Sequence, residues 1–324
     1  MKIQTISKNL CRCRILFLFF FLAFSMMGIP EPFAAGYPDR SITLVIPWPA
    51  GGATDMLGRM LASEVEKYIG QQVVVVNKTG GGGAIGHTFG AQAKPDGYTI
   101  TLATTEASTV HLLGVSPFSY RDFDPLLLIA TGPAGFSVLS SSPYKTFKDL
   151  LEDAKKRPEQ IKVSSIAAGG IWNLCAVAIS KKAGIQLNIL PYAGGGPAVV
   201  AALGGHVDAA CVGFAETLSH ARDGKMRYLG VTSGQRLPTY PDAPTFVEQG
   251  IPVDLGAWWG ICLPKGTPKD IQAKIHEAFR KAIHDEKIKD MMAKGGFIHN
   301  YKGPEEFKVW LDGMDKVFKE VIGK

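Results

Sequence analysis

The sequence predicts an α/β protein in which mainly parallel sheets are covered by helices. Short apolar runs alternate with amphipathic stretches along most of the chain. Several apolar runs lead into glycine-rich turns, and each turn is followed by a helical pattern. Strands that alternate with helices favour parallel pairing, because a crossover helix brings the chain back to the same end of the sheet. With 324 residues, 46% of them apolar, the chain suffices for one large domain or two of ordinary size.

Nine short runs, most of them rich in valine, isoleucine and leucine, are the predicted strands. They span residues 41–47, 72–77, 98–104, 135–140, 161–165, 187–192, 207–213, 226–232 and 256–264. An amphipathic helix is predicted over Asp55–Ile69, and Gly70 ends it. Its apolar face is formed by Leu57, Met60, Leu61 and Val65.

Two further patterns predict where helices begin. Thr146 with Asp149 three residues later is typical of a capping box, and Thr267 with Asp270 repeats that spacing around Pro268 in the first turn. The last helix begins at Pro304 and carries apolar residues at helical spacing, which we expect in the core and not around a cofactor. These residues are Phe307, Trp310, Leu311, Met314, Phe318 and Val321.

The start of the chain is typical of a secretory signal peptide over residues 1–36. Basic residues at positions 2, 8, 12 and 14 precede the apolar run ILFLFFFLAFSMM, and small residues follow at positions 34–36. The run is shorter than the roughly 20 residues of a membrane span, so we expect cleavage near Ala34 to Gly36 and a mature chain from about Tyr37. The alternative is an uncleaved anchor.

Charge and cysteine content argue against a nucleic-acid-binding protein and against a protein built on a disulfide framework. The formal net charge is +6, and without residues 1–36 it is about +3, which is too small for a nucleic-acid-binding surface. Beyond that segment, Cys175, Cys211 and Cys262 are widely spaced in apolar surroundings. This pattern predicts buried free thiols, with a bridge between Cys175 and Cys211 as the alternative.

Four glycine-rich turns predict a cleft lined largely by backbone. The turns read PWPAGGATD, NKTGGGGAIG, SSIAAGGIWN and PYAGGGPAV, and each connects an apolar strand to a helix. In open α/β sheets such turns gather at the carboxyl ends of the strands, where ligands bind. A glycine-rich turn that opens a helix offers backbone N–H groups and the positive end of the helix dipole, so it is suited to an anion.

The usual enzyme motifs are incomplete in this sequence. Gly81, Gly83 and Gly86 match a dinucleotide fingerprint by spacing, but the acidic residue expected after the next strand is missing, since Asp96 precedes that strand. The sequence has no Walker lysine, no nucleophile elbow and no histidine pair at metal-ligand spacing. Asp55 fits the first turn of a helix better than a catalytic acid. We therefore expect no catalysis, no cofactor and no metal.

Five segments, in this order, resemble the extracytoplasmic solute receptors of tripartite tricarboxylate transporters, also called the Bug family. They read YPDRSITLVIPWPAGGATD, VVVVNKTGGGGAIGHTFGAQAKPDGYTI, LPYAGGGPAVVAALGGHVDAA, GKMRYLGVTSGQRLPTYPDAPTFVEQGIP and AWWGICLPKGTPKDI. The resemblance covers residues 37–324. It implies a two-lobed periplasmic binding protein of type II, with lobe 1 over 37–137 and 256–324 and lobe 2 over 138–255. It also implies a monomer that delivers an organic acid to a two-subunit membrane permease.

The resemblance implies a ligand site at the turns of both lobes. The residues implied on the side of lobe 1 are Trp48, Ala50, Gly51, Ala53, Thr54, Asp55, Gly82, Gly83, Ala84, Thr104 and Thr105. Those implied on the side of lobe 2 are Ala167, Ala168, Gly169, Gly170, Tyr192, Gly195, Gly213 and Phe214. Glu106 is a further candidate that would receive a cationic group, with a solvent-facing loop glutamate as the alternative.

The sequence departs from the family pattern where lobe 2 would contact the ligand. Trp172 follows Ile171 where family members tend to carry serines, and Val212 stands where they often carry a polar residue. We therefore expect Trp172 in the site and a ligand with an aromatic ring or short alkyl body opposite its carboxylate. The alternative for Trp172 is packing inside the lobe core. Two alternatives for the whole protein are a ligand-sensing partner of a membrane signalling protein and a secreted α/β enzyme.

Overall fold

The computed structural model describes residues 36–323, so the predicted signal peptide lies outside the described residues except for its last position. Ten strands are present in this part of the chain: β1 (Ile42–Ile46), β2 (Val73–Asn77), β3 (Thr99–Thr104), β4 (Phe123–Leu139), β5 (Lys162–Ile166), β6 (Asn188–Tyr192), β7 (Ala209–Gly213), β8 (Met226–Val231), β9 (Gly256–Pro264) and β10 (Ile298–Lys302). Its α-helices are α1 (Ala53–Ile69), α2 (Ala84–Ala91), α3 (Phe147–Lys156), α4 (Ile171–Ala183), α5 (Gly195–Leu203), α6 (Phe214–Arg222), α7 (Lys269–His284), α8 (Glu286–Lys294) and α9 (Pro304–Ile322).

The strands form two lobes that share the long strand β4. Their order is β2-β1-β3-β9-β4-β7-β5-β6, with β8 and β10 also paired to β4. In the first lobe β1 is parallel to β2 and β3, and in the second β5 is parallel to β6 and β7. The strands that join these parallel groups, β4 and β9, run antiparallel to their neighbours. The sheet is therefore mixed, and all four glycine-rich turns follow parallel strands.

Strand β4 is much longer than the sequence predicted. Only residues 135–140 were expected to be extended, whereas β4 runs from Phe123 to Leu139. Its first part pairs with β9 as far as Pro133, and its last part pairs with β7 from Ala134 onward. Pro125 and Pro133 argue against a strand in sequence terms, but a register shift next to Pro125 lets the strand continue. Strand β10, with the polar sequence IHNYK, was also missed.

One of the two predicted helix caps is confirmed and the other is wrong. The Thr146 side chain accepts a hydrogen bond from the Asp149 N–H, and Asp149 accepts one in return from Thr146. Thr267, in contrast, does not cap α7. Its hydroxyl donates to the Pro264 carbonyl oxygen at 2.7 Å, and Pro268 takes the N-cap position. The hydroxyl is used to close the turn after β9, so α7 begins one residue later than predicted.

The core of the first lobe explains the apolar spacing in the last helix. Phe307, Leu311 and Phe318 are fully buried, and the Phe307 ring meets the Trp258 ring edge to face at 5.6 Å. The three cysteines of the described chain are buried free thiols, so the bridge between Cys175 and Cys211 is absent there. Among the described residues, no helix combines the length and apolar character needed to cross a bilayer.

Candidate functional site

A narrow cleft lies where the carboxyl ends of the parallel strands of the two lobes face each other. The space between the atoms that line it is about 420 Å³, and this volume includes open solvent at the mouth of the cleft. The first lobe lines it with Trp48, Pro49, Gly52, Ala53, Thr54, Thr104, Glu106, Ala257 and Trp259. The second lobe lines it with Ile166, Ile171, Trp172, Gly194, Gly195, Gly196 and Glu216. A cleft at this edge of an α/β sheet is the usual place for a small ligand.

Four helices begin next to this cleft, and each has glycine at its N-cap. These residues are Gly52 before α1, Gly170 before α4, Gly194 before α5 and Gly213 before α6. In this part of the chain none of the four caps has a side-chain hydrogen bond, so the first backbone N–H groups of these helices have to find other partners. Converging helix N-termini make the cleft suitable for anionic groups.

The turn between β1 and α1 is held in place by Asp55. Its carboxylate accepts hydrogen bonds from the Gly51 N–H at 3.0 Å, from Arg59 Nε at 2.9 Å and from Asn77 Nδ2 at 3.0 Å. Asn77 also donates to the Trp48 carbonyl oxygen at 2.8 Å. Burial raises the pKa of Asp55, but these donors more than offset it and the pKa lies below its ordinary value. Asp55 therefore shapes the turn, while the cleft itself is lined by its neighbours.

Glu106 is buried in the cleft wall and connects the two lobes. Its Oε1 accepts a hydrogen bond from the Ile171 N–H of α4 at 3.0 Å, and its Oε2 accepts one from the Thr104 hydroxyl at 2.5 Å. With only 1% of its surface exposed, it is not the solvent-facing glutamate considered as an alternative. Burial raises its pKa, although both hydrogen bonds oppose the rise. The carboxyl group of Glu106 thus lies at the start of α4, in the place where a bound anion would otherwise accept the N–H groups of the helix.

A buried histidine and a tryptophan hold Thr104, the residue whose hydroxyl donates to Glu106, in place. His87 Nε2 accepts the Thr104 N–H at 3.0 Å, and its Nδ1 lies 2.8 Å from the Gly83 carbonyl oxygen. This pairing assigns the proton to Nδ1. Burial lowers the pKa of His87 to about 4, so the ring is neutral at ordinary pH. The Trp48 indole N–H donates to the Thr104 hydroxyl at 3.1 Å, which completes the chain of hydrogen bonds.

Glu216 is the second carboxyl group of the cleft, and the sequence analysis did not single it out. It lies in the first turn of α6, and its Oε2 is shielded from solvent without a hydrogen-bond partner. A Cβ atom on Gly195 would fall 1.4 Å from this oxygen, so any other residue at position 195 would require the Glu216 carboxyl group to move. Burial raises the pKa of Glu216 to about 7, although the Ala53 backbone and the Trp172 side chain oppose the rise.

This pKa makes the stability of the protein depend on pH. Between about pH 4.5 and pH 7 the folded protein holds a proton on Glu216 that the unfolded chain has lost, so stability falls as the pH rises through this window. We expect Glu216→Gln to flatten the curve and to raise the free energy of unfolding at pH 8 by about 2 kcal/mol, allowing for partial exposure. Urea unfolding of both proteins from pH 5 to pH 8 measures this. A stability curve with the same slope in both would contradict it.

Three tryptophans form the apolar part of the cleft wall. The Trp172 and Trp259 rings, from opposite lobes, lie 6.4 Å apart between centroids. The Trp259 indole N–H donates to the Thr54 hydroxyl at 2.9 Å. Trp172 is 5% exposed and lines the cleft, whereas Val212 lies fully buried inside β7 and does not line it. The expected apolar surface is therefore present, but it is built from aromatic rings of both lobes.

The structure brings about a third of the implied site residues to the cleft surface. Those that line it are Trp48, Ala53, Thr54, Thr104, Glu106, Trp172 and Gly195. The others lie in the adjoining turns or behind them and are not part of this lining: Ala50, Gly51, Asp55, Gly82, Gly83, Ala84, Thr105, Ala167, Ala168, Gly169, Gly170, Tyr192, Gly213 and Phe214.

Two members of that second set have structural partners elsewhere. The Thr105 hydroxyl accepts a hydrogen bond from the Trp258 backbone N–H at 2.9 Å. The Phe214 ring stacks on the Tyr228 ring in the core of the second lobe, with 4.8 Å between the ring centroids. A ligand role for each implied residue remains a prediction. Besides Glu216, sequence reasoning missed Trp259, which follows another tryptophan inside an apolar strand and therefore looked like core.

Proteins that are similar to this chain are found both by sequence and by fold. Protein BugT from Bordetella pertussis is 31% identical over 290 residues, covering 88% of this chain and 89% of BugT. The solved structure of the periplasmic binding protein BugD is 32% identical with a TM-score of 0.83, covering 89% of this chain and 98% of BugD.

Two further solved structures contain a bound acid. MatC from Rhodopseudomonas palustris with bound malate is 25% identical with a TM-score of 0.82, covering 88% of this chain and all of MatC. The protein Rpa4515 from R. palustris with adipate is 25% identical with a TM-score of 0.82, covering 88% of this chain and 97% of the other. Both proteins share the two-lobed fold.

The fold and the cleft between its lobes define a solute-binding receptor rather than an enzyme. Residues 57–316 match the TctC family, described as the tripartite tricarboxylate transporter family receptor. The chain belongs to this family, which confirms the resemblance drawn from its sequence segments.

Proposed function

We propose that this protein captures a small organic acid in the cleft between its lobes and delivers it to a two-subunit membrane permease. The observation that carries the proposal is the convergence of four glycine-capped helix N-termini on one cleft. Such a site holds a carboxylate with backbone N–H groups and ordered water, without a lysine or arginine. The relatives with bound malate and adipate support an acid as the ligand.

The proposal places the protein in the periplasm as a monomer. The predicted signal peptide and the periplasmic binding protein BugD support this location. Lobe 1 is proposed to comprise 37–137 and 256–324, and lobe 2 to comprise 138–255. Ligand would draw the lobes together by bending where the chain crosses between them, in β4 and near Gly256. The change of β4 from pairing with β9 to pairing with β7 supports a crossing in this strand.

A thermal-shift screen tests the proposed function. The panel contains mono- and dicarboxylates of two to eight carbons, with and without an amino group and with and without an aromatic ring. At least one acid is expected to raise the melting temperature in a concentration-dependent way, because a ligand that binds only the folded state stabilises it. The tryptophan wall favours acids with an aromatic or alkyl body over citrate. A panel in which no acid shifts the melting temperature would contradict the proposal.

A further inference from the structure

Each lobe places a glutamate against the other lobe, at the start of a helix. Glu106 of the first lobe accepts the Ile171 N–H at 3.0 Å, and this is the first N–H of α4 in the second lobe. Glu216 of the second lobe accepts a hydrogen bond from the backbone of Ala53, the first residue of α1 in the first lobe. The two contacts therefore join the lobes in the same way and in opposite directions.

Both carboxyl groups occupy positions that suit the carboxylate of a ligand. The first N–H of a helix has no partner within the helix, and the helix dipole favours a negative group there. Glu216 also lies against Gly195 in the first turn of α5, where a Cβ atom would fall 1.4 Å from its Oε2. Among the described residues that line the cleft, no lysine, arginine or histidine offers an anion another place. An acid that enters the cleft therefore meets positions that the protein's own side chains fill.

The two glutamates are not held equally well. Both oxygens of Glu106 have donors, which are the Ile171 N–H and the Thr104 hydroxyl. The Oε2 atom of Glu216 is buried without a hydrogen-bond partner. A buried oxygen without a donor costs free energy, so Glu216 is the easier of the two to displace. An ionised ligand carboxylate in its place would form charge-assisted hydrogen bonds, which are stronger than those of a neutral carboxyl group.

We propose that Glu106 and Glu216 hold the two lobes together without a ligand, and that an acid binds by displacing Glu216 from the starts of α1 and α5. This inference rests on the proposed function, because it assigns the position of the acid in the same cleft. The ligand's carboxylate takes the N–H groups that Glu216 leaves, while Glu106 stays in contact with α4. The free energy needed to displace Glu216 lowers the affinity of the wild-type protein for acids.

Small-angle X-ray scattering of the ligand-free protein tests the first half of the inference. The double variant Glu106→Ala/Glu216→Ala lacks both contacts and is expected to have a larger radius of gyration than the wild-type protein. Glu106→Gln/Glu216→Gln keeps an oxygen acceptor for each N–H, so its radius should equal that of the wild type. Glu152→Ala, which removes an exposed carboxylate on α3, is the control. A folded alanine double variant with the wild-type radius would overturn the inference.

Calorimetric titration with malate and with adipate tests the second half. At pH 6 the Glu216 carboxyl group in the cleft is protonated, because burial raises its pKa to about 7. Glu216→Ala removes the competing carboxyl group, so it is expected to bind at least one of these acids at least tenfold more tightly than the wild-type protein does. Equal or weaker binding of both acids by folded Glu216→Ala would contradict the displacement, since Glu216 would then be a partner of the acid or have no effect on it.

The two measurements separate this inference from the proposed function. If neither acid binds to the wild-type protein or to Glu216→Ala, the result counts against the proposed function, and the scattering decides the inference. Glu106→Ala alone replaces the double variant in the scattering if the double variant does not fold, because Glu106 makes the better-bonded contact. Glu216→Ser, whose hydroxyl is too short to replace the carboxyl group, does the same in the titration.

Discussion

Replacing Gly194 with leucine is expected to weaken ligand binding at least 100-fold while the protein stays folded. Gly194 lines the cleft, and a Cβ atom built on it lies 3.0 Å from Pro49 Cδ and 3.2 Å from Pro49 Cγ of the facing lobe. The backbone at this position is extended, with φ at 178°, so a side chain is tolerated locally. The rest of a leucine side chain does not fit against Pro49, so it holds the lobes apart.

Calorimetry with the acid that gives the largest thermal shift measures this effect. A loss of 100-fold corresponds to about 2.7 kcal/mol of binding free energy. Val200→Leu is the matched control, because Val200 lies on the following helix α5 with 68% of its surface exposed and away from the cleft lining. Unchanged affinity in a folded Gly194→Leu variant would show that ligand binding does not need the closed arrangement of these two turns.

Replacing Gly86 with alanine is expected to lower the free energy of unfolding by about 3 kcal/mol or more. A Cβ atom at Gly86 would lie 2.4 Å from the Lys78 carbonyl oxygen and 2.5 Å from Pro47 Cα. Both neighbours are backbone atoms at the ends of β2 and β1, so neither can move aside by changing a rotamer. The close approach of α2 to these strand ends therefore requires glycine.

Urea unfolding of Gly86→Ala measures the loss, and Gly313→Ala is its control. Gly313 lies within α9, and a Cβ atom added there would meet no atom within 4 Å. Alanine at this position should therefore stabilise the protein by about 0.5 to 1 kcal/mol through helix propensity. If Gly86→Ala unfolds at the same urea concentration as the wild-type protein, α2 does not pack as closely on the strand ends as the structure has it.

Much of the fold could be predicted because local patterns and tertiary structure agree in the parallel parts. The runs that became β1 and β2 are short, apolar and followed by glycine-rich turns, and they pair in parallel as the alternation of strand and helix predicts. Strand β4 could not be predicted in full, because its length is set by pairing with β9 and β7 and not by its own sequence. Its prolines and Gly132 are turn signals that the sheet overrides.

The parts of the site that are formed by backbone could be predicted from the sequence. The parts that are formed by buried side chains could not. Gly52 and Gly194 begin helices at the cleft, and they lie in two of the four glycine-rich turns from which a cleft lined by backbone was predicted. The burial of Glu106 depends on the Ile171 N–H, which is 65 positions away in the chain, and no local pattern encodes that contact. Glu216 carried a weak signal, since an acid in a first turn usually faces solvent and complements the helix dipole.

Native mass spectrometry tests most directly whether the cleft is the site where this receptor holds its ligand. The wild-type protein, purified without refolding, and the Gly194→Leu variant are each mixed with the acid selected by thermal shift. The structure predicts one acid molecule bound per wild-type chain and none retained by the variant. The leucine side chain at position 194 would press against Pro49 and prevent the lobes from closing. An acid that binds both proteins to the same extent, or that binds the wild-type chain in several copies without saturation, would contradict the account.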